Sequence, residues 1–305
     1  MRLVVALGGN ALLRRGESLD MAVQRGHARN AARALAQLAR EHTLLVTHGN
    51  GPQVGLLALQ AEALAGAASV GLDVLGAESE GMIGYVLEQE LQNALPGREI
   101  AVLLTQVEVA AADPAFAHPS KPIGPVYTRA QAEALRRERG FVVARDGAGW
   151  RRVVPSPRPT RIRELRTINR LLDAGVLVVC SGGGGIPVVA GPDGALRGAE
   201  AVIDKDRSAA LLARGVDADG LLLLTDAPGV YADFGGPEQR LLRHATPAEL
   251  RALALDPGSM GPKAEAVCEF VENCGGFAAI GALEQAAALF EGRAGTRVEP
   301  EVARV

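Results

Sequence analysis

At 305 residues and 48% hydrophobic content, the chain is long enough for one large α/β domain or two modest ones with a sizeable core, which argues against disorder. Its net charge of -3 gives no broad basic footprint for nucleic acid, so any anion site must be local. No apolar run approaches membrane-spanning length, and Cys180, Cys268 and Cys274 lack the spacing of a disulfide framework or zinc cluster, which fits a reducing cytoplasm.

Residues 3–7 form an apolar run that Gly8, Gly9 and Asn10 interrupt, so the N-terminus reads as a buried strand entering a loop and not as a signal peptide. Helical periodicity over 22–40, a strand over 43–47 and a second helix over 52–67 follow. This βαβ rhythm predicts a mostly parallel sheet with helices on both faces. Further strands are expected at 100–105, 176–180, 220–225 and 277–281.

Residues 106–159 break the rhythm with Pro114, Pro119, Pro122, Pro125, Pro155, Pro157 and Pro159. Such proline density argues against long helices and central strands, and predicts an inserted excursion. Two readings stand: a lid over a site, or an interface or stabilising arm. Beyond it, a strand ending at Cys180 meets Gly182-Gly183-Gly184-Gly185, and a helix is expected after Ile203. Thr246-Pro247-Ala248-Glu249 combines an N-cap, a first-turn proline and a capping-box acid, so a helix starts there. A last apolar-periodic helix is expected over 260–273.

Three glycine turns follow predicted strands: Gly8-Gly9-Asn10, Gly49-Asn50-Gly51 and Gly182 to Gly185. In an open α/β sheet such turns collect at the carboxyl edge, where bare N–H groups and helix N-termini attract anions. A lone glycine cluster more often marks a tight turn, and it is the joint placement that points to phosphate or carboxylate. No Walker A loop and no GxGxxG turn is present, so any charge-neutralising lysine must come from elsewhere.

Only Lys121, Lys205 and Lys263 are available among the 32 Lys and Arg residues. A chain that meets its surface charge with arginine, yet keeps lysine in Gly/Pro-punctuated loops, points to a need for a compact ammonium there; solvated surface lysines are the plain alternative. Phosphoryl transfer asks for positioning and for neutralisation of the transferred oxygens, which two lysines from separate elements can supply. Asp204 and Asp206 flank Lys205 and can orient such groups, although Lys and Asp together also make ordinary ion-pair networks. The turn Thr225-Asp226-Ala227-Pro228-Gly229-Val230-Tyr231, at the end of the 220–225 strand, suits a purine and ribose, with Tyr231 as core packing the alternative. The histidines His27, His42, His48, His118 and His244 show no metal-ligand spacing. His48 is read as orienting the Gly49 loop.

ALGGNALL, THGNGPQVGLLALQ, GAESEGMIGYVLEQ, LLTQVEV, KPIGPVY, GWRRVVPSP, CSGGGGIPV, VIDKD and GSMGPK occur in this order along almost the entire chain. Together they resemble the carbamate kinase branch of the amino-acid kinase family, with KPIGP and GWRRVVPSP the most discriminating segments. The resemblance implies an α/β fold, a three-layer αβα sandwich with a mainly parallel eight-stranded sheet and a protruding lid subdomain. Residues 1–190 would be the carbamate-side lobe, holding the lid at about 106–159, and 191–305 the nucleotide-side lobe.

The resemblance further implies reversible phosphoryl transfer between ATP and carbamate, used to make ATP in arginine catabolism, by a cytoplasmic homodimer. Mg2+ would be held mainly by the nucleotide, with no protein metal ligand. Lys205 and Lys263 take phosphate-stabilising roles, Asp206 organises both, and Lys121 is the lid residue that reaches carbamoyl phosphate. Gly8, Gly9, Asn10, Gly49, Asn50 and Gly51 line the substrate pocket. Gly182, Gly183, Thr225, Asp226, Val230, Tyr231, Gly258 and Met260 are expected at the nucleotide. Pro228, where many relatives carry an acid, and Arg207, where they often carry an apolar residue, depart from the pattern. The segment 78–85 receives no role. Phosphorylation of a different small acid, or a non-catalytic nucleotide sensor, are the rival readings.

Overall fold

The computed structural model describes residues 1–9, 12–13, 17–18, 20–64, 70–256 and 258–301, so Asn10 lies outside the described residues. The first half runs β1 (Arg2–Leu7), α1 (Met21–Ala39), β2 (Thr43–His48), α2 (Gly51–Leu64), α3 (Leu72–Ala94), β3 (Ile100–Leu103) and β4 (Gln106–Val109). The excursion carries β5 (Lys121–Tyr127), α4 (Arg129–Arg139), β6 (Val143–Asp146) and β7 (Gly149–Val154). Then come β8 (Pro159–Ile162), α5 (Leu165–Asp173), β9 (Leu177–Cys180), β10 (Ile186–Ala190), β11 (Leu196–Gly198), α6 (Lys205–Gly215) and β12 (Gly220–Thr225). The chain closes with β13 (Tyr231–Ala232), β14 (Arg240–Leu241), β15 (His244–Ala245), α7 (Pro247–Arg251), α8 (Met260–Cys274), β16 (Phe277–Ala282), α9 (Ala286–Phe290) and β17 (Thr296–Val298).

Among the described residues, eight strands form the main sheet in the order β15-β17-β16-β12-β1-β2-β9-β3. All neighbours are parallel except β16 and β17. The alternation of side chains along β1 explains the three layers. Leu3, Val5 and Leu7 point to the face where Leu35 of α1 and Leu87 and Leu91 of α3 pack. Val4 and Ala6 point to the other, with Ile168 of α5, Leu212 of α6 and Phe270 of α8. Both faces of β1 are buried, which is why it reads as a continuous apolar run. Full burial of each such Leu is worth roughly 1.5–3 kcal/mol.

Local signals set the helix ends. Asp20 accepts from the Ala22 N–H to cap α1, and Thr246 makes the expected capping box with Glu249 at α7. Gly275, at φ 68°, closes α8 in the left-handed region.

The excursion differs from its expectation in two respects: β4 and β7 are interior strands of small sheets, and a helix is present. An 11-residue helix, α4, stands inside it, with a Thr128–Gln131 capping box and Gly140 as its left-handed C-cap. The reason is local: no proline falls between Pro125 and Pro155, so the interval is free to coil. Strands β5, β7 and β6 make a three-stranded antiparallel ribbon beside it, while β4 and β8 join a separate sheet ordered β11-β10-β4-β8. The longest helix, α3 with 23 residues, contains the segment 78–85.

Candidate active site

Because β1, β2, β9 and β12 are parallel, their carboxyl ends meet at one edge of the sheet, and the glycine turns meet with them. The turns touch backbone to backbone. A Cβ on Gly49 would lie 3.0 Å from the Gly9 nitrogen and 3.5 Å from Lys205 Cδ, and one on Gly8 would lie 3.0 Å from the Leu224 carbonyl oxygen. Gly51 opens α2, so the Gly49 turn leads directly into a helix N-terminus.

The third turn is built from strained backbone. Ser181, fully buried, adopts φ 53°, and Gly183, Gly184 and Gly185 follow at φ 67°, 98° and 88°. Neighbouring side chains hold it there. Thr47 Oγ1 donates to the Ser181 carbonyl at 2.7 Å, and the Ser181 N–H donates to Thr105 Oγ1 at 2.9 Å. The Gly182 N–H donates to Glu80 Oε1 at 2.7 Å, and the Thr105 N–H to Glu80 Oε2 at 3.2 Å. Glu80 is 1% exposed. Burial pushes its carboxyl up to about 8, against the downward pull of the Gly182 and Thr105 N–H groups.

Its neighbour Ser79 accepts from Asn50 Nδ2 at 2.8 Å, so consecutive residues of α3 tie down two of the three turns. Gly182 and Gly183 lie on the same side: Cβ atoms there would fall 2.4 Å from the His48 ring and 2.1 Å from Asn50 Nδ2. His48 is buried, which pushes its imidazole down to about 4, and its Nδ1 donates to the Gly49 carbonyl at 3.1 Å. It braces its own loop, as expected.

Two of the three lysines converge on one carboxylate. Asp204 caps α6, which places Lys205 and Asp206 in the first turn at the strand edge. Lys205 Nζ donates to Asp206 Oδ1, and Lys263 Nζ, from the first turn of α8, donates to Asp206 Oδ2 at 3.1 Å. Asp206 is 2% exposed. Burial pushes its carboxyl up, but the Lys205 and Lys263 ammonium groups outweigh that and hold it below the ordinary range. Burial lowers Lys205, which Asp206 opposes and the nearby Lys263 reinforces. The result is two ammonium groups braced on one carboxylate beside the Gly9 and Gly49 turns.

Lys121, at the start of β5, donates to Asp204 Oδ2 at 2.5 Å. Arg207 pairs with Glu265 of α8 at 2.8 Å, joining the two lysine-bearing helices on their outer side. On the β12 side, Thr225 Oγ1 donates to Asp226 Oδ1 at 3.0 Å, and the buried Val230 donates its N–H to Thr296 Oγ1 at 2.8 Å. The Tyr231 ring lies 6.0 Å from that of Phe234. Gly258 and Met260 flank Ser259 at the start of α8, close in sequence to Lys263. Among the described residues, no cluster of three or more His, Cys, Asp or Glu side chains is placed to hold a metal ion.

Residues 1–280 match the amino acid kinase family. The chain belongs to that family. Within it, a carbamate kinase of Rhizobium meliloti (strain 1021) is 52% identical over 299 residues, covering 97% of this chain and 92% of that protein. A carbamate kinase of Escherichia coli (strain K12) is 52% identical over 294 residues, covering 96% and 98%. Among solved structures, carbamate kinase from Giardia lamblia bound to AMP-PNP superimposes with a TM-score of 0.89 at 37% identity, covering 98% of both chains. This amino acid kinase thus shares fold and nearly full length with those proteins, excursion included. None of its described helices is long and apolar enough to cross a membrane.

Proposed function

We propose that the protein is a carbamate kinase, interconverting ATP plus carbamate with ADP plus carbamoyl phosphate. The observation that carries this reading is the pair of ammonium groups, Lys205 and Lys263, braced on Asp206 beside the amide-lined turns. The near-full-length relatives name the acceptor.

In the ATP-consuming direction a carbamate oxygen forms a bond to the γ-phosphorus in line with the breaking bond to the β,γ-bridging oxygen, whose electron pair leaves on ADP. Carbamate is already an anion, so no strong general base is required. Lys205 and Lys263 neutralise the charge on the transferred group, and the N–H groups of Gly9 and of the helix start at Gly51 orient its oxygens. The neutral His48 keeps the Gly49 turn in place, and the Glu80 carboxyl the Gly182 turn. Thr225 to Tyr231 and Gly258 to Met260 receive the nucleotide, with Gly182 and Gly183 completing the floor.

The donor set suits a metal ion that arrives on the nucleotide. Both Asp206 oxygens are taken by lysines, and Asp204 by Lys121 and the α6 backbone. Mg2+ bound to the ATP phosphates would add positive charge at the β and γ oxygens without a protein ligand. The exposed Tyr85 and Leu104, beside edge strand β3, support a homodimer. The high transfer potential of an acyl phosphate supports use in the ATP-forming direction; that this serves arginine breakdown in the cytoplasm is part of the same proposal.

A coupled assay that follows ATP formed from ADP and carbamoyl phosphate tests the reading. Rapid turnover, with none from acetylglutamyl phosphate, is the expected result. No turnover with carbamoyl phosphate overturns it.

A further inference from the structure

The Asp204 carboxylate divides its two oxygens between two distant parts of the chain. Oδ1 accepts the Asp206 N–H at 3.0 Å and the Arg207 N–H at 3.2 Å, which is the N-cap of the helix that presents Lys205 and Asp206. Oδ2 accepts Lys121 Nζ at 2.5 Å, from a strand 83 positions earlier in the chain. The Asp204 side chain is 13% exposed and that of Lys121 30%, so the carboxylate is set into the protein while the ammonium keeps an open side. Burial pushes the Asp204 carboxyl up, but Lys121 first and Lys205 after it outweigh that and hold it well below the carboxylate range.

The excursion is seated around this contact by independent means. The Val202 N–H donates to the Pro155 carbonyl at 2.9 Å, directly after β7. Ile123 and Val154 pack with Val54 and Val202 in a small buried cluster. Gly124 lies so near Gly55 of α2 that a Cβ on Gly55 would fall 2.0 Å from its Cα. β5 is therefore fixed over the helix that begins at the Gly49 turn, and Lys121 starts that strand at the border of residues 202–206.

We propose that Asp204 is the positioning residue for Lys121: one oxygen caps α6, and the other holds the excursion's ammonium at the rim of the phosphoryl site before substrate arrives. The inference deepens, and rests on, the phosphoryl-transfer reading given above. An ammonium has three N–H donors. Asp204 takes one, which leaves two for the oxygens of an incoming carbamoyl phosphate. Lysine carries a flexible four-carbon stem, and fixing it in advance removes an ordering cost from the binding step. A fully solvated ion pair would do little of this. Here the acceptor is set into the protein and is part of the helix that carries the other lysine, so excursion and phosphoryl site share one carboxylate.

Asp204→Asn separates the two duties. The amide oxygen still caps α6, while its other atom becomes an NH2 group that cannot accept from Lys121. Lys121→Met removes the ammonium and keeps the stem. Amide exchange is measured on the ligand-free proteins, and KM for carbamoyl phosphate and kcat are measured for wild type, both single variants and the double variant.

Faster exchange across 120–127 and 149–155 in Asp204→Asn, with the first turn of α6 unchanged, is the expected result. KM should rise roughly tenfold in that variant, with kcat changed far less. The double variant should match Lys121→Met alone. The inference is overturned if Asp204→Asn raises KM by the same factor with and without the lysine, or if only the α6 turn exchanges faster. The exchange measurement needs no turnover, so it decides the Asp204 contact even where a wild-type protein inert toward carbamoyl phosphate would sink the functional reading itself.

Discussion

Lys263 reaches Asp206 from 57 positions away in sequence and meets its Oδ2 at 3.1 Å, opposite the oxygen that takes Lys205. A carboxylate with an ammonium on each oxygen sets the separation of the two positive charges. It also opposes the burial that pushes Lys205 down.

Lys205→Ala should leave the circular dichroism spectrum unchanged, because Asp206 retains Lys263, and should lower kcat on the order of 10²–10³-fold, as loss of a charge-stabilising donor does elsewhere. Steady-state kinetics in the ATP-forming direction decide it. A near-normal rate contradicts the role given to Lys205.

Gly55→Ala tests how the excursion sits on α2. The new Cβ would meet the Gly124 backbone at 2.0–2.2 Å, and backbone cannot rotate aside as a side chain can. Overpacking of this kind costs roughly 1–3 kcal/mol, so Tm should fall and KM for carbamoyl phosphate should rise as the ribbon lifts. Unchanged values for both would show that the approach is not tight.

The Glu80 carboxyl gives a pH signature. Its ordinary value of 4.5 is raised to about 8 in the folded protein, so the folded state binds the proton more tightly than the unfolded one. The associated stability is complete below about pH 4.5 and is lost as the pH rises through about 8. Glu80→Gln stays uncharged but turns one acceptor of a buried N–H into an NH2 group, so its Tm should lie below wild type at pH 5, and that gap should close or reverse toward pH 9 as wild type alone loses stability. Parallel Tm curves for the two proteins across that range would refute the assignment.

Arg207→Ala addresses the ion pair that joins α6 to α8. Arg207 and Glu265 are both partly exposed, and such pairs contribute about 0.5 kcal/mol or less. Denaturant unfolding should show a change of that size, and ADP titration almost none. A large loss of nucleotide affinity would mean that the guanidinium does more than join α6 to α8.

The parallel strands were legible because burial on both faces writes them as unbroken apolar runs, as in residues 221–224. The lysines were legible through scarcity alone. Helix α3 was not, since Gly76, Gly81 and Gly84 punctuate it like a loop. The structure gives a reason for the last of these: a Cβ on Gly84 would meet Val102 Cγ1 at 2.5 Å, so the glycine lets the helix lie close on β3. Helix α4 did carry its signals, a capping box and a terminal glycine, which the surrounding prolines masked. Glu80 lies in the GAESEGMIGYVLEQ segment, which received no role from the sequence. Its partners lie 25 and 102 positions away, and only the folded chain brings those N–H groups to it. The sequence could have hinted at Glu80 only as an acid on the inward side of a helix, where burial demands partners.

Strand β1 sits between β2 and β12, and the Arg2 N–H donates to Asp219, 217 positions later. β1 therefore waits for some 217 further residues before its second neighbour exists. During synthesis its open side is an unpaired apolar edge, vulnerable to pairing with other nascent chains. Fragments that stop short of Gly220 should accumulate as aggregates, and expression of the intact protein should gain from chaperones that shield the growing chain.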